Sequence, residues 1–156
     1  ADDGQHFESR LLVDHSQPNC TSDVLYKGAL QGDPDSRKPD AHTVWIGDVL
    51  IRAAAEGTET YELNRNLVLT EGARADSVPN LEIETGVIEG AGHASTTGQL
   101  DGDHLWYLMA RGIPEKQARR LVVRGFLNEI IQQIRVDELE ERLMDALEDE
   151  LAISDN

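Results

Sequence analysis

The hydrophobic period of this chain changes once, at about Gly98, and that change bounds what the chain can fold into. From Gln5 to about Thr97 apolar side chains recur every second residue: Val44 and Ile46, then Val49, Ile51 and Ala53, and later Leu81 and Ile83. Period two belongs to extended strands, whose side chains alternate between faces, and helical spacing is missing here. The connecting stretches, Gln31 to Pro39 and Glu71 to Asp76, hold the Gly, Asp and Pro of loops. Many short strands separated by small residues predict an all-β stack. Only 4% of residues are aromatic, which argues against an aromatic-rich sandwich core. A β-helix or β-solenoid suits the pattern, since its rungs stack aliphatic residues inward and turn on small ones.

After Gly98 the period becomes helical. Asp101 or Asp103 can cap a short helix through His104-Leu105-Trp106-Tyr107-Leu108-Met109, Gly112 can close it in a left-handed conformation, and Pro114 suits the first turn of the next. That helix, expected over 114–134, places Ala118, Val122, Phe126, Ile130 and Ile134 four apart, with Leu121, Leu127 and Ile131 widening the stripe. Asp137 with Glu140 reads as a capping-box-like start, and Leu139, Leu143, Leu147 and Leu151 mark one face of a last acidic helix. The expected division is therefore residues 1–98 and residues 99–156.

Charge narrows the partners. The chain of 156 residues has a formal net charge of −16. Without a basic arm, such a chain repels the phosphate backbone, and no nucleic acid partner is expected. Residues 1–110 carry 7 basic and 19 acidic side chains, residues 111–135 carry 6 and 2, and residues 136–156 carry 1 and 9. A basic segment followed by an acidic one points to two helices folding back on each other, or to a basic face kept for an acidic partner. No apolar run approaches the roughly 18 residues that cross a bilayer, and the first ten residues lack the pattern of a signal peptide. A soluble, cytoplasmic protein without membrane contact is expected. Cys20 is the single cysteine, so no internal disulfide and no cysteine-built zinc or iron–sulfur site can form from this chain alone.

Five histidines are available: His6, His15, His42, His93 and His104. None forms the i, i+4 pair by which a helix presents two imidazoles to zinc. His42 shares parity with Val44 and Ile46 and reads as a packed, hydrogen-bonded residue, while His104 reads as a surface or capping residue. His93 differs, because Gly92-His93-Ala94-Ser95-Thr96-Thr97-Gly98 leaves its imidazole as the only large polar group in a run of small residues. Asp33, Asp35 and Asp40 lack a calcium-loop spacing and read as a solvated loop. No GxSxG, P-loop or GxGxxG is present. One enzyme alternative rests on Ile46-Gly47-Asp48-Val49-Leu50-Ile51, which looks like one hexad of a left-handed β-helix acyltransferase with a histidine base, although Arg52 to Gly57 does not continue it. A purely structural β-solenoid module is the other alternative.

Several stretches taken together resemble the SufB/SufD family of iron–sulfur cluster assembly proteins. They are Asp14-His15, Leu25-Tyr26-Lys27-Gly28, the segment Ala53 to Arg65, Pro79-Asn80-Leu81-Glu82-Ile83, His93 to Gly98, and Leu105 to Ile113. The match runs over about residues 5 to 135. It implies a mainly β chain, a right-handed parallel β-helix core followed by a small α-helical subdomain, forming the C-terminal portion of a longer protein. It also implies a non-catalytic subunit that pairs with a SufB-like scaffold, docks a SufC-like ATPase on its C-terminal helices, and forms a homodimer when alone. The SufB branch carries a cysteine and a glutamate where this chain has Leu63 and Ala94, so the resemblance is to the SufD branch. His93 is then implied to face the partner where nascent iron or a cluster sits transiently, with no cofactor held stably by this chain. The turn Arg111-Gly112-Ile113, with Phe126 on the following helix, is the expected ATPase contact. A lone imidazole cannot hold a cluster, so the remaining ligands, preferably thiolates, must come from another chain.

Overall fold

Six stretches of alternating side chains become strands: β1 (His6–His15), β2 (Thr21–Leu30), β3 (Ala41–Ile51), β4 (Thr58–Val68), β5 (Ala73–Ile83) and β6 (Ile88–Gln99). Among the described residues three helices follow, α1 (Gly102–Met109), α2 (Glu115–Ile131) and α3 (Asp137–Ile153). This computed structural model describes residues 1–33 and 35–153, the last by its backbone alone. Pro34, in the expected loop, and residues 154–156 of the expected helical subdomain lie outside the described residues. The chain divides into two units, Ala1–Gln99 and Leu100–Asn156. Among the described residues no helix is long and apolar enough to cross a membrane.

In the first unit, strands alternate between two three-stranded parallel sheets, ordered β1-β3-β5 and β2-β4-β6. Parallel neighbours cannot be joined by a tight turn, so each connection crosses over through a strand of the other sheet. The inner faces meet around Val49, Ile51 and Ala55, with Val13 and Leu81 from the first sheet and Ile88 and Ala91 from the strand β6 side packed against them. Tyr26 and Trp45 bring their rings to 5.8 Å across the same space.

The expected mainly β, right-handed parallel β-helix is corrected by this topology. Among the described residues the strands form two separate parallel sheets and no closed solenoid, and with three helices the fold is α/β. The physical reason lies in strand length. Strands of 10 to 12 residues run straight through small residues at which a short-runged solenoid would turn: Gly28 lies inside β2, Gly47 inside β3, and Gly90 and Gly92 inside β6. The Ile46–Ile51 hexad of the acyltransferase alternative likewise sits within the single strand β3, with no corner to turn. Parity also differs from expectation. Ala41, Trp45, Gly47, Val49 and Ile51 are the buried set of β3, whereas Val44 and Ile46 lie on its half-buried outer face. Two apolar pairs separated by Gly47 and Asp48 hid the change of face.

In the second unit, Asp101 caps α1 by accepting from the Asp103 N–H at 2.8 Å, and Gly112 adopts φ +87° beyond its end. Pro114 stands at the N-cap of α2, just outside the helix rather than in its first turn, and α2 stops at Ile131. Ala118 and Ile131 of the expected stripe are buried, Val123 joins them, and Leu121 is exposed. The basic and acidic segments do fold back on each other: Arg120 reaches Glu148 at 2.8 Å and Arg124 reaches it at 3.0 Å.

Gly47 is a tight point between the two sheets of the β unit. A Cβ there would lie 2.5 Å from the Trp45 ring and 2.6 Å from Glu62 Oε2, whereas one at Gly98 would meet nothing within 4 Å. Chemical denaturation should therefore find Gly47→Ala less stable by about 1–3 kcal/mol, the usual cost of overpacking, and Gly98→Ala close to wild type. Equal stability of the two variants would contradict this packing.

Candidate functional site

Strand β4 inverts the usual arrangement. Its residues Thr58, Thr60, Glu62, Asn64 and Asn66 are buried, while Glu59, Tyr61 and Arg65 between them face solvent. A polar side chain inside a protein must find a hydrogen bond or bear the cost of leaving water. Four of the five do so. Thr58 Oγ1 donates to the Ala55 carbonyl at 2.9 Å. Thr60 shares a 2.6 Å hydroxyl contact with Ser22, which is in turn 2.9 Å from buried His15 Nε2. Asn64 Oδ1 accepts from Ser77 at 2.6 Å and from the Asn66 amide at 2.7 Å, and that amide also reaches Thr97 at 3.4 Å.

Glu62 is the exception. It is 1% exposed, and among the described residues neither carboxyl oxygen has a hydrogen-bond partner. Gly47 gives the carboxyl its space from the facing sheet. The parallel register sets Glu62 beside His93 on β6, with Val24 of β2 on its other side. His93 Nδ1 lies 4.0 Å from Glu62 Oε1, and the imidazole is 40% exposed. Burial pushes the Glu62 carboxyl above the ordinary range, the His93 side chain opposes that shift, and Asp48 adds to it. A carboxyl in this setting favours a proton on itself or a cation beside it. The pair thus joins a buried acid to an accessible imidazole on an edge strand.

The sequence singled out His93 but not Glu62. The same-parity polar run from Thr58 to Asn66 was available as a signal, yet period two alone assigns such a run to the solvent face. His93 sits well inside β6, away from the link to α1. Leu63 and Ala94 are register partners immediately beside the Glu62–His93 pair, on alternate positions of the same strands and hence on the opposite face. His42 bonds Asp76 and meets His6, and His104 lies 3.8 Å from Asp101. Cys20 is half-buried in the turn before β2. Arg111 and Gly112 are exposed between α1 and α2, Ile113 and Phe126 are half-buried, and the Arg111 guanidinium lies 4.3 Å over the Tyr107 ring. Among the described residues no group of three or more His, Cys, Asp or Glu side chains is arranged to hold a metal ion.

A raised carboxyl pKa has a definite sign for stability. The folded state holds the proton more tightly than the unfolded one, so stability is full below the unfolded glutamate pKa and falls as pH rises through the folded value. Glu62→Gln removes the charge and keeps the shape. Thermal melts should show the variant more stable than wild type at pH 8, by about 1–3 kcal/mol, with the difference vanishing near pH 4. A difference that does not depend on pH would contradict a buried, unpartnered carboxyl.

Residues 1–126 match the family described as the SUF system FeS cluster assembly SufBD core domain. An iron–sulfur cluster assembly SufBD family protein of Mycobacterium bovis is 72% identical over 156 residues, covering 100% of this chain and 39% of the relative. The SufBD family protein of Mycobacterium leprae is 67% identical, covering 100% and 40%. The iron–sulfur cluster assembly protein SufD of Bacillus subtilis is 34% identical over 153 residues, covering 94% and 35%. The chain spans about two fifths of the length of these curated relatives. With the family match extending through both sheets and into α2, the chain belongs to the SufBD family of iron–sulfur cluster assembly proteins.

Proposed function

We propose that this chain is a SufD-like, non-catalytic subunit of a cytoplasmic iron–sulfur cluster assembly complex. It pairs with a SufB-like scaffold through the β unit and docks a SufC-like ATPase on the helical unit. The observation that carries this reading is the Glu62–His93 pair: one accessible imidazole on the edge strand β6, backed by a buried carboxyl that makes no hydrogen bond among the described residues. Two donors do not hold a cluster, and family members handle clusters as cargo, so thiolate ligands come from the other subunit. Support for the SufD branch comes from the relative of that name and from the absence of cysteine and glutamate at positions 63 and 94.

The edge strands β5 and β6 offer unpaired backbone groups to a partner sheet, and to a second copy of this chain when the scaffold is absent. For the ATPase, the turn Arg111-Gly112-Ile113 stands beside exposed Trp106, Tyr107 and Met109, a mixed apolar and cationic surface of the kind that anchors interfaces.

Two measurements on the co-expressed three-subunit complex test the proposal. His93→Ala should lower the iron retained after desalting several-fold while leaving subunit stoichiometry and melting temperature unchanged. Replacing Arg111 and Ile113 together, as Arg111→Ala with Ile113→Asp, should remove the ATPase from the purified complex while circular dichroism stays native. Normal iron retention by the first variant would overturn the metal role, and normal ATPase recovery by the second would overturn the docking site.

A further inference from the structure

The outer face of the β1-β3-β5 sheet carries a polar cluster that takes no part in the Glu62–His93 site. His6 and His42 are register partners on adjacent parallel strands, and their rings meet edge to face with centroids 4.7 Å apart. Their Nδ1 atoms are 3.1 Å apart. The other nitrogen of His42, Nε2, lies 2.8 Å from Asp76 Oδ2, and Arg74 Nε donates to Asp76 Oδ1 at 2.9 Å.

This chain of contacts determines where the protons are. An ionised carboxylate only accepts, so His42 Nε2 carries the hydrogen it donates to Asp76. In the neutral ring Nδ1 is then a bare lone pair aimed at His6 Nδ1. Two nitrogen lone pairs at 3.1 Å repel unless something positive lies between them: a proton on His6 Nδ1 or a metal ion bound by both. The separation accommodates either. With metal–nitrogen bonds of about 2.0–2.1 Å, a 3.1 Å bite corresponds to an angle of about 100°, a cis arrangement. A carboxylate on the far nitrogen of a ligating histidine is the usual device that fixes its tautomer and ring orientation.

We propose that His6 and His42 form a two-imidazole site for a divalent transition-metal ion, with Asp76 as the outer acceptor and Arg74 holding Asp76. Imidazole donors select zinc, nickel or copper over magnesium or calcium. His6 is exposed and the His42 side chain is 30% exposed, so an ion has access and water fills the remaining positions. The site stands independently of the role proposed for His93, from which it differs in sheet, face and donor set.

Isothermal titration of the metal-free full chain with Zn2+ tests it, alongside electron paramagnetic resonance of the Cu2+-loaded chain. One equivalent should bind to wild type and to His93→Ala, and should be lost in His6→Ala and in His42→Ala. Cu2+ bound to wild type should show coupling to two nitrogens, a signal absent from either single variant. Asp76→Asn should weaken binding by about 10- to 100-fold without changing the stoichiometry. No binding by wild type would mean a proton-bridged pair only and would overturn the proposal. Retention of the site in both His6→Ala and His42→Ala, or its loss in His93→Ala, would do the same.

Discussion

Five polar side chains on β4 face the interior, and the need to satisfy them organises the β unit. Desolvation of an unpaired amide or hydroxyl costs on the order of 1–3 kcal/mol in a protein, so each inward position needs a partner at a defined height along the strands. Ser22, Ser77, Thr97 and the Ala55 carbonyl provide these partners. A slip of one residue would bring Glu59, Tyr61 and Arg65 inside and turn the whole set out, so the register has a strong chemical determinant. Glu62 breaks the rule in the one place where an accessible imidazole lies alongside.

The helical unit depends on a different balance. Arg120 and Arg124 converge on Glu148, whose backbone carbonyl also accepts from Arg120, joining the middle of α2 to the later turns of α3. These groups are partly solvated, which limits the gain from each pair, and the apolar contacts of Ala118, Val123 and Ile131 must supply much of the rest. The acidic C-terminal segment therefore has an internal partner. Much of the basic face of α2 is used within the unit, which leaves the α1–α2 turn as its more open cationic feature.

Legibility in the sequence followed the strength of each local signal. The change from strand to helix near Gly98 was plain because both periods were sustained for many residues, and Gly112 declared its left-handed backbone. The arrangement of strands was not legible. Period two reports that a strand has two faces but not how many sheets share the strands, and Gly28 and Gly47 look like corners although they lie mid-strand. Trp45 is hard to place from sequence because Val44 and Ile46 on either side suggest the opposite parity. His93 stood out through the small residues around it. Glu62 did not, because a buried acid and a solvated acid are spelled alike, and only the register with Gly47 and His93 separates them.

The parallel pairing has a consequence for how the chain acquires its structure. Contacts between neighbouring strands join residues far apart in sequence: 36 positions between His6 and His42, 38 between Ser22 and Thr60, and 31 between Asn66 and Thr97. Among the described residues no hairpin nucleates the sheets locally, and each closure must overcome loop entropy before hydrogen bonds reward it. During synthesis, β1 must wait until β3 has emerged, and β2 until β4. The β unit therefore has an ordering time set by chain length rather than by local propensity, and the interval in which its strand edges lie open is built into the alternation of its two sheets.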